Sequence, residues 1–279
     1  MQRYIIFSFI ICLVFFGILG CEKNKNDVPD TLSTDQTKTD NVLVAGTGAN
    51  QTLVRALAAG FMQANPGIKV DVPDSIGSGG GIKEITAKRI DIARVARGLK
   101  DSEKQAGLVY AEFAVSPVVF AAGQDIQLQN INSMDINKIY RGTLTNWKEA
   151  GGADRAVMVI AREPGDSSLA VIEAELGELQ YNEQVITLAT KDQEMIDLLK
   201  SKGNAIGFGT LSNMKKEGLH ILSLDGRQPE TADYPLNNRF AFVYWEAELT
   251  AAARQFIEFV HSPAGEKIIR QEYCFPPGK

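Results

Sequence analysis

Residues 42–62 read VLVAGTGANQTLVRALAAGFM, and the character of the whole fold can be taken from this stretch. Val42-Leu43-Val44-Ala45 is a continuous apolar run, short enough for a buried strand. Gly46-Thr47-Gly48 interrupts it. Leu53, Val54, Leu57, Ala58, Phe61 and Met62 then recur at three- and four-residue spacing, the stripe of an amphipathic helix. Asn65-Pro66-Gly67 closes that helix. Strand, glycine turn and helix in so short a space form the repeating unit of an α/β sheet.

The unit recurs downstream. Ile68–Val72 reads as a second strand and Gly77-Ser78-Gly79-Gly80-Gly81 as a turn. A helix through Ile82, Ile85 and Ala87 and a strand around Asp91–Val95 follow. Further strands are expected within the apolar run Ala114–Ala122 and at Val157–Ile160, Ala205–Gly209, Ile221–Leu224 and Phe240–Trp245. Helices are expected at Met134–Tyr140, Leu169–Leu179, Gln193–Lys200, Thr250–His261 and Pro263–Gln271. This alternation predicts a sheet dominated by parallel pairings with helices on both faces.

Composition narrows the partners. The 279 residues carry a net charge of −5, which argues against nucleic-acid binding, since that requires cationic surface to displace counterions from phosphates. Two histidines (His220 and His261) and three cysteines make a structural zinc site improbable. The only long apolar run lies at the N-terminus, behind Arg3, from Ile5 to Phe16. It reads as an export leader over residues 1–20. Ile18-Leu19-Gly20-Cys21 resembles the lipobox of bacterial lipoproteins, which implies acylation of Cys21 and a membrane contact through that lipid alone. Residues 21–40 are polar and read as a flexible tether. Once the leader and Cys12 depart, Cys274 is the only thiol left in the body, so no internal disulfide can form.

Three strand exits share a chemistry. Gly46-Thr47-Gly48-Ala49-Asn50, Gly77-Ser78-Gly79-Gly80-Gly81 and Gly165-Asp166-Ser167-Ser168 each place glycine and small polar side chains where a helix begins. The first turn of a helix has unpaired N–H groups and a partial positive charge, so such a start suits an anion. In open α/β sheets these exits gather at the carboxyl ends of the strands and can converge. Arg162, just ahead of the third start, adds a planar fork matched to oxyanion oxygens. The nucleotide-binding motifs fail: the first exit lacks the third glycine of a dinucleotide fingerprint, and the second lacks a Gly-Lys-Ser/Thr ending. A hydrolase using Ser167 or Ser168 is the competing class, but neither histidine lies where it would serve as the base.

Together these segments resemble the PstS-like phosphate-binding proteins of bacterial phosphate ABC transporters. The further markers are Asp91-Ile92-Ala93 with Arg97, Ile139-Tyr140-Arg141-Gly142 with Thr145-Asn146-Trp147, Arg162-Glu163-Pro164-Gly165, Tyr234-Pro235-Leu236 and Ser262-Pro263-Ala264-Gly265. The resemblance implies a two-lobed periplasmic-binding-protein fold, each lobe a sheet flanked by helices and joined to the other by hinge strands. Lobe I would take residues 41–117 and 237–279, and lobe II residues 118–236. It also implies a monomer in the cell envelope that binds inorganic phosphate, serves ABC permease subunits, and has neither cofactor nor catalytic residue. The ligand positions it implies are Gly48, Ala49 and Asn50 at the first start, Ser78 and Gly79 at the second, Arg97, Arg162, and Asp166, Ser167 and Ser168 at the third. Two departures bear on the anion. Ala96 stands where some members have a carboxylate that accepts the proton of hydrogen phosphate, and Asp166 stands where a serine is usual. Asp166 is therefore expected either to take over as proton acceptor or simply to cap its helix. Molybdate, sulfate or a sensing role are the alternatives within the same fold.

Overall fold

The computed structural model describes residues 40–278, except 106 and 185. The segment expected to be the leader, Cys21 as the expected site of acylation, and the expected tether through residue 39 lie outside the described residues. Asp40, the last residue assigned to the tether, belongs to the first strand. The first half of the chain forms β1 (Asp40–Gly46), α1 (Gln51–Ala64), β2 (Ile68–Asp71), α2 (Gly77–Thr86), β3 (Ile92–Val95), β4 (Leu108–Ala122), β5 (Asn130–Ile131) and α3 (Ser133–Tyr140). The second half adds β6 (Met158–Arg162), α4 (Ser167–Leu176), β7 (Ile186–Ala189), α5 (Asp192–Ser201), β8 (Ala205–Thr210), α6 (Leu211–Lys216), β9 (His220–Leu224), β10 (Asn237–Trp245), α7 (Ala251–Val260) and α8 (Pro263–Gln271).

The strands follow the order β2-β1-β3-β10-β4-β8-β6-β7, with β9 on β4 and β5 on β9. Parallel pairing is confined to the wings: β1 with β2 and β3, β6 with β7 and β8, and the short β5–β9 pair. The centre is antiparallel, because β10 returns against β4 and β3, and β4 runs against β8 and β9. The expectation of a mainly parallel sheet is thus corrected. A chain that leaves one wing along β4 and comes back along β10 must reverse direction between those two strands.

β4 is longer than its apolar run suggested. Residues 108–112 and 114–117 pair with β10, with a bulge at Phe113, and residues 118–122 pair with β8, the last three also with β9. Phe113 and Ala114 pack in a core with Phe61, Phe240, Phe242 and Phe256, whereas Val118–Ala122 pack in another with Tyr140, Trp147 and Phe208. Side chains alternate across β10: Phe240, Phe242 and Tyr244 face the first of these cores, and Ala241 and Val243 face a third, smaller cluster with Ile82 and Ile85.

The glycine run at 77–81 is not a turn but the opening of α2. Gly81 explains why. A Cβ there would stand 3.0 Å from the Gly46 Cα and 3.2 Å from the Ala45 carbonyl, so its absence lets α2 lie directly on β1.

Phe242 is fully buried and stacks on Phe113 with ring centroids 4.2 Å apart. Phe242→Ala should lower unfolding free energy by about 3–5 kcal/mol in a denaturant titration. A loss below about 1 kcal/mol would show that the neighbouring rings close over the gap.

Candidate functional site

Four strand-to-helix exits meet around one cavity of about 200 Å³. The exit from β1 contributes Thr47 and Gly48, and the segment leading into α2 contributes Ser75, Ile76, Gly77 and Ser78. The exit from β6 contributes Arg162, Glu163, Gly165, Asp166 and Ser167. Thr190, Lys191 and Asp192, where β7 passes into α5, complete the wall. The three starts singled out in the sequence therefore converge, joined by a fourth that sequence reasoning missed.

The first two exits are tied backbone to backbone. Gly46 leaves β1 with φ +148°, Thr47 N–H donates to the Arg94 carbonyl (3.0 Å), and Ile76 N–H donates to the Gly46 carbonyl (2.9 Å). Asn50 precedes α1 without capping it. Its Nδ2 donates to the Val95 carbonyl (3.1 Å), while its buried Oδ1 has no partner. Ser78 Oγ accepts from Ala96 N–H (3.3 Å) and remains at the cavity wall.

The third exit carries the charge. The Arg162 side chain is only 4% exposed; its Nη2 contacts Asp166 Oδ2 (3.0 Å), Nε contacts Glu163 Oε2 (3.1 Å), and Nη1 stands 3.5 Å from Asp192 Oδ1. Burial by itself would lower this guanidinium's pKa, but Asp192, Asp166 and Glu163 outweigh it and hold the group above its ordinary value. Asp166 caps α4: its Oδ1 accepts from Ser168 N–H (3.0 Å) and Leu169 N–H (2.9 Å). Burial pushes the Asp166 carboxyl up to about 6, opposed by Arg162 and reinforced by Asp192. Arg162 Nη1 and Ser167 Oγ are buried without hydrogen-bond partners, and both residues line the cavity. Two donors left unmet on one wall mark where a ligand oxygen is wanted.

The remaining candidates stand behind this wall or away from it. Ala49 is buried, and its carbonyl accepts from Thr210 Oγ1 (3.1 Å). Ser168 is fully buried and donates from Oγ to the Asn238 amide oxygen (3.3 Å), while the Asn238 nitrogen donates to the carbonyls of Ala96 (2.9 Å) and Ser167 (3.3 Å). Gly79 is the third residue of α2, is exposed, and does not line the cavity. Arg97 does not line the cavity: its guanidinium forms a two-pronged pair with Glu103, both contacts 2.7 Å, so a close carboxylate in the next loop satisfies it. Asp192 and Asn238 were not foreseen. The only signal for Asp192 was its place at the head of an amphipathic helix, and Asn238 carried none.

Among the described residues there is no cluster of His, Cys, Asp and Glu that could hold a metal ion. Neither histidine lines the cavity; His220 Nε2 is 2.7 Å from the Leu128 carbonyl. Ser167 therefore has donors and a cation beside it but no imidazole to take its proton, an arrangement suited to holding an anion.

The PBP superfamily domain matches residues 31–264. A phosphate-binding protein PstS of Bacillus subtilis is 25% identical over 278 residues, covering 97% of this chain and 91% of that protein. A phosphate-binding protein PstS of Borreliella burgdorferi is 26% identical over 251 residues, covering 84% and 90%. A crystal structure from Clostridium perfringens, described as a substrate-binding protein of a phosphate ABC transporter with bound phosphate, is 26% identical. It superposes with a TM-score of 0.76 over 86% of this chain and 100% of that one. Strand order, converging helix starts and the match over most of the chain agree: this chain belongs to the PBP superfamily, with the two-lobed α/β fold of periplasmic binding proteins.

Proposed function

We propose that this chain is a lipid-anchored, extracytoplasmic solute-binding protein that captures inorganic phosphate between its lobes. It acts as a monomer, held at the cell envelope by a lipid on Cys21, and delivers the ion to the permease subunits of an ABC transporter. The observation that carries this function is the cavity itself: four helix starts and a buried arginine around about 200 Å³, with Arg162 Nη1 and Ser167 Oγ unmet. The phosphate bound by the relative from Clostridium perfringens supports the choice of ligand. The family is one of binding proteins, so the ion leaves as it arrived.

We assign lobe I to residues 41–117 and 237–279 and lobe II to residues 118–236. The core clusters support that division, since one draws only on Val118–Leu236 and the other two on Val42–Val95 or Ala96, Phe113–Ala114 and Phe240–Cys274. The ligand contacts we assign are Thr47 and Gly48, Ser78, Arg162, Ser167 and the N–H groups at these helix starts. Ala49, Asn50 and Ser168 shape the loops from behind, and Gly79 has no assigned contact. Titration calorimetry against phosphate, sulfate and molybdate tests the function: phosphate should bind one to one and most tightly, and preference for another of the three would reassign the ligand. Arg162→Gln should weaken phosphate binding about a hundredfold, the loss expected for charge-assisted bonds to a desolvated anion. An effect below about threefold would remove Arg162 from the contact set.

Asp166 selects the protonation state in this scheme. One oxygen caps α4, and the other, at Arg162, retains a lone pair for the proton of hydrogen phosphate. Sulfate has no proton to offer and meets a bare carboxylate. Asp166→Asn should therefore narrow the phosphate-to-sulfate affinity ratio, and the wild-type ratio should narrow in the same way as pH falls through about 6. An unchanged ratio leaves Asp166 as a cap only.

The same carboxyl links stability to pH. Its folded pKa is raised from 3.8 to about 6, so its contribution is whole below 3.8 and is lost as pH rises through 6. At pH 7 without ligand, Asp166→Asn should accordingly unfold at a higher denaturant concentration than wild type, with the gap closing below about pH 4.

A further inference from the structure

Arg94 lies in β3 and is fully buried, at 0% exposure. Its guanidinium reaches under the first two helix starts. Nη1 donates to the Thr47 carbonyl; Nη2 donates to the Pro73 carbonyl (2.8 Å) and to Gln51 Oε1 (3.1 Å). Thr47 lines the cavity, Gln51 opens α1, and Pro73 begins the segment that carries Ser75 and Ser78 to the wall. Gly46 makes room for this side chain, since a Cβ there would overlap the Arg94 carbonyl and crowd its stem. One residue thus sets the spacing between two of the loops that form the site.

Its charge is uncompensated. Among the described residues no carboxylate comes within 4.0 Å of it, and its Nε has no hydrogen-bond partner. Burial pushes its pKa down to about 10, with Arg55 adding to the shift and the more distant Asp192 and Asp74 offsetting only part of it. A buried cation held only by neutral acceptors is costly to the fold. The cavity in front has the opposite imbalance: Glu163, Asp166 and Asp192 face only Arg162 and Lys191. Among the charged side chains of that wall the carboxylates outnumber the cations by one, an imbalance that works against the anion its helix-start N–H groups attract.

We infer that Arg94 is a positioning and affinity residue of the anion site: it clamps the β1–α1 and β2–α2 loops at one spacing, and its charge offsets the excess carboxylate of the wall, so that an oxyanion is accepted. The inference rests on the anion-binding function proposed above and adds a determinant that never touches the ligand.

The test compares Arg94→Lys with Arg94→Gln in the full-length chain. Titration calorimetry uses phosphate, sulfate and molybdate, alongside thermal unfolding. Lysine keeps the charge and loses the fork; glutamine loses the charge and keeps an amide donor. Arg94→Gln should weaken the preferred oxyanion roughly tenfold, the effect of a unit charge across a low-dielectric wall. Arg94→Lys should recover most of that loss even where the two variants melt alike. Equal losses in both variants, or none in Arg94→Gln, overturn the inference while leaving the function intact. A wild-type chain that binds none of the three anions overturns both. Should Arg94→Gln fail to fold, Gln51→Glu places a carboxylate against Arg94 and removes no contact. It should raise the melting temperature and weaken the oxyanion, and a lower melting temperature or an unchanged affinity counts against the inference.

Discussion

A guanidinium taken out of water must be surrounded by acceptors, and the site is built around that requirement at Arg162. The side chain is 4% exposed, and its three nitrogens draw in carboxylates from its own loop, Glu163 and Asp166, and from the head of α5, Asp192. Holding Arg162 therefore also fixes where α4 and α5 begin. Asp192 in turn reaches to Gly48, where any side chain would overlap its carboxylate, so the exit from β1 is registered against the same group. The cavity is what remains between these constraints.

A protein of net charge −5 with three carboxylates in the wall of its cavity is an improbable anion receptor by charge count alone. Distance and dielectric resolve the conflict. Surface carboxylates are screened beyond a Debye length of about 8 Å, whereas N–H groups and buried cations act at contact through little water. In the function proposed, the carboxylates in the wall act as a filter, tolerating an anion that carries a proton between itself and them. The same geometry keeps the site from being catalytic. Neither histidine lines the cavity, so Ser167 has no imidazole as base, and its hydroxyl serves as a donor.

Much of this was legible in local periodicity. The β1–α1 unit, the order of strands and helices, the three polar helix starts and Arg162 all follow from patterns within a few residues of one another. The errors have physical causes. Glycine is read as a breaker, yet at 77–81 it opens α2 because the helix must lie against Gly46 and Ala45, a contact between segments far apart in the chain. β7 escaped notice because it spans four residues of which only Ala189 is buried. Arg94 and Arg97 are three residues apart and chemically identical. The resemblance pointed to Arg97, but that side chain pairs with Glu103 and does not line the cavity, and Arg94 is the one that reaches under the loops.

By itself, the sequence determined most of the longer strands and helices, and where amides and a guanidinium are available to an anion, since these depend on propensity and spacing along the chain. Only the tertiary structure decided that β4 and β10 would run antiparallel through the centre and that α5 would bring Asp192 to the wall. It also decided which of two neighbouring arginines is buried. Each of those outcomes depends on pairing and burial between residues distant in the chain, and no local pattern encodes which partner wins.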